Sequence, residues 1–518
     1  MRIFDDLRAE EGKKELKFEK GTYFITSDFA TKKHLNITNT IGEKEWEKGE
    51  EKHLQNVAMY LENIKNLTID FAESTLILYG VFTNIAIINS QNITIKNVQI
   101  RTDNPNLHEI KVVNKTAFYV DFAIDNESKY QKIGKSFSFV GKGYSLPFNY
   151  KLTKTWWIGD IKEETPDKIK RTFHPFLSSY KIKEIEPHKI RVYYFSTARF
   201  KMGERFYLYD VRRKNVGIFA DNSSDIMLQN IKQTFNYSLA VVCEHCNNIT
   251  IDSVDFSPEN DRKMCSIADF IQICMCSGDV VVQNSNFEGA GDDCMNVHGF
   301  HFAVVNKEDN KIVVRFMHPQ SYGFLPFDNG DKLAYIDKNS LVEKGGAVVK
   351  SAKMLNEYDI ELAIDGVLPE DNCVVENVTK TPNLYFINNR LNRIITRGIL
   401  VTTRGKVVIK DNVFNNNSMS GILISDDASA WYESGMVKDV LITGNTFNNS
   451  EEYDILIKPE NKCFEGYVHN NIVIENNNFA SKTGGGIFVK DSKITLKNNT
   501  ICEKDYKLIN KNSQILEK

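Results

Sequence analysis

No apolar run in the 518 residues approaches the roughly 18 that a membrane-crossing helix requires, and no stretch is basic enough to track a phosphate backbone. With 65 lysines and arginines against 68 aspartates and glutamates the formal net charge is −3, so neither a membrane nor a nucleic acid is expected as partner. The opening MRIFDDLRAEEGKKELKFEKG lacks the basic patch and apolar stretch of an export signal, which gives an expectation of cytoplasmic function. Cysteine is present in an odd number, nine, and clusters between Cys243 and Cys294 in strand-like text. Cys243 and Cys246 bracket His245, but no second pair at metal-ligand spacing follows, so buried reduced thiols are expected and no metal site.

What the chain does contain is a repeated phrase: Asn or Asp, an alternating Ile/Val/Thr strand, then Asn. It reads NLTIDF at 66–71, NITIKNVQI at 92–100, DIMLQNI at 225–231, NITIDSVDF at 248–256 and DVVVQNSNF at 279–287. It resumes as NLYFINNRL at 383–391, KVVIKDNVF at 406–414, DVLITGNTF at 439–447, NIVIENNNF at 471–479 and KITLKNNTI at 493–501. Steps of 22–33 residues are too short for helical repeats, and period-two strands ending in Asn, which tolerates the left-handed conformation of a sharp corner, give a right-handed parallel β-helix. The asparagines themselves read as corners and hydrogen-bonded ladders.

Two stretches break the repeat and resemble each other, KIRVYYF then KMGERFYLYD in one and KIVVRFM then DNGDKLAYID in the other. Each reads as a strand, a glycine turn and a return strand of a small barrel. The chain is therefore all-β: helix coils over 1–104, an inserted β-barrel over 105–214, central coils over 215–300, a second inserted β-barrel over 301–378, and C-terminal coils over 379–518. Trp156 and Trp157 read as core of the first barrel.

The chemistry is expected at GAGDDCMNVHG, 289–299, where glycines free two adjacent carboxylates, Asp292 and Asp293, from pointing to opposite faces. Asp269 lies 292 − 269 = 23 residues upstream, one coil at the shorter repeat, and coils stack about 4.8 Å apart. Three carboxylates in one patch repel each other and raise at least one pKa, which suits glycosidic cleavage by an acid and a base or nucleophile.

The paired aspartates resemble those of the polygalacturonases of glycoside hydrolase family 28, but that family's Gly-His-Gly and Arg-Ile-Lys motifs are missing. The set ADF at 268–270, GAGDDCMNVHG at 289–299, RGILVTTRGKVVI at 397–409 and ILISDDASAWYESGMVKDVLI at 422–442 resembles instead glycoside hydrolase family 110, exo-acting α-1,3-galactosidases. That resemblance implies Asp292 as general acid, with Asp269 or Asp293 as base in an inverting displacement without cofactor. Spacing alone leaves the stereochemistry open.

Five further residues are candidates for substrate contact: His298 and Arg404 toward sugar hydroxyls, Trp431 as a stacking face for galactose, and Asp427 and Glu433 beside it. The expected ligand is an oligosaccharide or glycoconjugate ending in α-galactose, branched as in the blood group B antigen or linear; the oligomeric state stays open. The rival readings are a polygalacturonase-like endo-hydrolase, a non-catalytic glycan-binding β-helix and a polysaccharide lyase.

Overall fold

The computed structural model describes residues 7, 8, 10–40, 52–134, 136–148, 158–165, 167–210, 212–482, 484–502 and 506–517; Trp156 and Trp157 lie outside them. Every phrase of the repeat falls in one 20-stranded parallel sheet. Because side chains alternate, each strand sends one column inward: Ile226, Ile249, Val280, Leu384, Val407, Val440, Ile472 and Ile494 stand in register from coil to coil, all within 3% of full burial. A second parallel sheet faces it across the core and includes Ile218–Asp221, Val241–Glu244, Ile271–Cys274, Ile399–Val401, Ile422–Ile424 and Ile455–Ile457.

The asparagines do what their conformational freedom allows. Asn97, Asn230, Asn284, Asn388, Asn476 and Asn498 hold φ between 50° and 61° at one corner of their coils, a place taken by Ser253, Asp411 and Gly444 in the coils between. The next position forms a buried ladder in which Asn389, Asn412, Asn445, Asn477 and Asn499 each accept the backbone N–H of the preceding coil at 2.8–3.0 Å. Such a corner would otherwise bury unpaired amides.

The first insert leaves the helix after Gln91–Asp103 and returns at Ile218–Asp221. It is a seven-stranded antiparallel sheet packed on a three-stranded one, around a core that includes Phe122, Phe139, Phe148, Phe200 and Phe206. Its end strands, Lys168–Arg171 and Lys181–Glu186, do not pair with each other among the described residues, so backbone hydrogen bonds do not close it into a ring. The second insert does close. Met295–Glu308 pairs with Lys311–Arg315, which leads through Asp359–Gly366, Glu343–Met354, Lys332–Asp337 and Cys373–Asn377 back to Met295–Glu308. The 14-residue Met295–Glu308 begins as a helix rung and ends in the barrel, which fixes the barrel to the helix without a linker. All nine cysteines are free thiols, seven of them buried.

Asn445 donates to the Ile409 and Thr443 carbonyls and to Asn477, and accepts from Asn412, all while fully buried. Replacing Asn445 with Ala orphans several of these groups and should cost about 2–5 kcal/mol. Urea unfolding measures it; a loss below about 0.5 kcal/mol would mean that the ladder does not hold the coils together.

Candidate active site

Asp269 sits two residues before the rung Ile271–Cys274, and Asp293 two before Met295 of the next rung. The register pairs Ile271 with Met295, an offset of 295 − 271 = 24, so Asp293 stacks on Asp269 and Asp292 stands one place to the side. The expected 23-residue step is thus corrected by one. The two sheets are joined by turns of different length, and a step counted on the first does not carry over to the second. The glycines serve close packing: a Cβ on Gly291 would strike the Ile267 carbonyl one coil below, and Gly289 holds φ at 79°.

All three aspartates line one cavity of about 380 Å³ against the outer face of the second sheet, where Asn296 and Leu400 stand in register. Asp269 and Asp293 are 2% exposed, at the base, whereas the Asp292 side chain is 18% exposed. Arg397, one coil above, donates to Asp293 through Nη2 at 2.5 Å and its backbone N–H at 3.0 Å, and the Thr396 hydroxyl adds a further bond. Arg213 donates to Asp292 Oδ2 at 2.5 Å, with Arg171 at 3.6 Å from the same oxygen. Among the described residues no hydrogen-bond donor reaches the Asp269 carboxyl.

These surroundings separate the three groups. Burial, reinforced by the charges of Asp292 and Asp293, pushes Asp269 well above the ordinary carboxyl range. Burial pushes Asp292 the same way, but Arg213, Arg171 and Arg397 outweigh it and hold it below that range. Burial and Asp292 leave Asp293 raised despite Arg397. Of the three, Asp269 is the one whose surroundings most favour the protonated form.

The other candidates divide. Trp431, Asp427 and Glu433 line the cavity with the aspartates. Trp431 is 52% exposed and stacks on His318 at 4.6 Å. The Asp427 carboxylate is occupied by the N–H groups of Ser429, Ala430 and Trp431, so it shapes the loop that presents Trp431. Glu433 accepts from Asn296 at 3.0 Å. His298 is buried behind the wall, where Gln272 donates to its Nε2 at 2.6 Å and its Nδ1–H binds the Gly299 carbonyl. Arg404 is not in the cavity either: Glu376 and Glu343 bind its guanidinium, which ties the second barrel to the coils. A hydroxyl clamp was the wrong reading for it, because its carboxylate partners lie in an insert outside the repeat.

Sequence reasoning missed Arg171, Arg213, Arg397 and His318. Arg397 opens the RGILVTTRG text and lies 104 residues from Asp293, a step that becomes one coil only once the second insert is subtracted. Arg171, Arg213 and His318 come from inserts or their links, where no periodicity points to the cleft. A larger cleft of about 1230 Å³ between the first insert and the helix contains none of the three aspartates; Arg101 pairs there with Glu259 and Arg262 with Glu127.

The model of a right handed beta helix region matches residues 372–515, and that of GLAA-B beta-barrel domain II matches 311–374. Alpha-1,3-galactosidase A of Bacteroides thetaiotaomicron is 34% identical over 90% of this chain and 81% of its own. That of Bacteroides fragilis is 32% identical over 95% and 82%. The chain belongs to the α-1,3-galactosidase family. Among solved structures, a polygalacturonase from Erwinia carotovora ssp. carotovora matches with 12% identity and a TM-score of 0.42, covering 98% of this chain and 99% of that one.

Two substitutions separate structure from sugar contact. Arg404→Met strands the buried Glu376 and should cost about 3–5 kcal/mol of stability with KM nearly unchanged. Trp431→Ala should leave thermal unfolding unchanged and raise KM by up to about tenfold, the worth of one ring contact. An exchange of the two phenotypes would contradict the placement.

Proposed function

We propose that the protein hydrolyses terminal α-1,3-linked galactose from glycans, acting from the chain end and inverting the anomeric centre. The observation that carries this is the convergence of three aspartates on a cavity near the small end of the roughly 300–1000 Å³ range of ligand pockets. Both inserts contribute to its walls, Arg171 from the first and, behind Trp431, His318 from the second. A walled pocket suits a terminal sugar, whereas an endo-hydrolase needs a groove open at both ends.

The lining suits a neutral sugar. Six carboxylates, Asp269, Asp292, Asp293, Asp427, Glu433 and Glu460, face three guanidiniums, and each guanidinium already lies within 4 Å of one of them. None is left over for a uronate, which argues against a polygalacturonase. A protein that only bound glycans would gain nothing from three crowded carboxylates, two of them buried.

Reach assigns the roles. Asp292 is the carboxyl open to the cleft and can meet the glycosidic oxygen as general acid, while the stacked pair Asp269 and Asp293 holds and deprotonates water at the base. The resting proton prefers Asp269, but three carboxyls in one pocket titrate as a unit and their protons exchange between them.

An α-1,3-galactosyl trisaccharide should release free galactose. Asp292→Asn should lower kcat by about 10²–10⁴-fold without loss of folding, and a substrate with an activated leaving group should restore part of the rate. Asp269→Asn should gain nothing from that leaving group. Rescue of Asp269→Asn alone would move the acid role to Asp269, and no galactose from the native protein would reject the assignment.

A further inference from the structure

Arg213 belongs to the short link that leaves the first insert and enters the rung Ile218–Asp221, and its side chain is 20% exposed. It spans from that link to Asp292 Oδ2, an oxygen that also has the Arg171 guanidinium 3.6 Å away. Asp292 is faced by Arg397 from the coil above, Asp269 from the coil below and Asp293 beside it, with Asp427 and Glu433 on the opposite loop of the same cavity. Among these, Arg213 and Arg171 are the two cations the first insert brings to a site otherwise built by helix coils.

We propose that Arg213 is a positioning residue for the reaction: it fixes the Asp292 carboxyl in the cleft, and its charge sets how many protons the three aspartates hold together. This rests on the reading of Asp292 as the acid. Three carboxyls this close would hold extra protons to relieve their repulsion, and a fully protonated cluster has no base left for water. A cation on the outermost member relieves the repulsion without a proton. The first insert is then part of the active site, supplying, with Arg171 on its edge strand and Arg213 on its exit link, two of the three guanidiniums at the cavity.

The direction of the effect follows from the geometry. Arg213 favours the ionised forms of Asp292 and Asp269, so its removal raises both. An acid is lost as pH rises through its pKa, and a base as pH falls through its own, so raising both moves the whole bell of kcat/KM upward. Arg171 is 61% exposed and farther away, and water screens it.

The test is the pH profile of kcat/KM on the trisaccharide for wild type, Arg213→Gln, Arg213→Lys and Arg171→Gln, with folding followed by thermal unfolding. Arg213→Gln should move the bell up by about one pH unit or more, Arg213→Lys should stay near wild type in position, and Arg171→Gln should move by a small fraction of a unit. A bell lowered in height but unmoved in Arg213→Gln would overturn the proposal and leave Arg213 a packing residue. An equal shift in Arg213→Lys would also overturn it, since the charge is retained there. Should Arg213→Gln fail to fold, the Lys variant and Arg171→Gln decide: a small upward shift in Arg171→Gln with none in Arg213→Lys supports the proposal, and any other pattern rejects it. Leaving-group rescue of Asp292→Asn reports separately on the acid, so the two claims can fail independently.

Discussion

Coil stacking at about 4.8 Å forces residues at equivalent positions of a parallel β-helix into direct contact, whatever their chemistry. For Ile and Val this builds a continuous core, and for Asn it builds the ladder from Asn389 to Asn499. For Asp269, Asp293 and Arg397 it builds a charged column in which unlike and like charges alternate along the helix axis. The same rule that stabilises the molecule therefore also crowds three carboxyls at one corner.

That corner is tolerated because cations enter from three directions. Arg397 arrives through the stacking itself, while Arg171 and Arg213 come from the first insert, and the second insert supports the cavity-lining Trp431 through His318. The His318 ring is held neutral by burial, with a pKa near 4, so it presents a flat uncharged face to the indole. The inserts are thus walls and charge sources for a site whose floor belongs to the helix.

The parallel architecture was legible because strand alternation and Asn corners follow from local backbone preferences that repeat ten times. The aspartates were legible for the same reason, though the turn lengths hid that Asp293, not Asp292, lies over Asp269. Arg213 and Arg171 were illegible, since contacts from an insert depend on how it docks and leave no period in the text. Arg404 and Asp427 show the other limit: a charged residue near the site is read as a ligand for sugar until the Glu376 carboxylate or the loop N–H groups that occupy it are seen.

The central claim is that Asp292 and the stacked pair Asp269 and Asp293 act on opposite sides of one galactosyl carbon, with water attacking directly. Proton NMR during the first minutes of hydrolysis tests it most directly, before mutarotation mixes the anomers. β-Galactose as the first product is the predicted result. Initial α-galactose, or a galactosyl ester trapped on Asp269 or Asp293, would contradict it and make one of the pair a nucleophile.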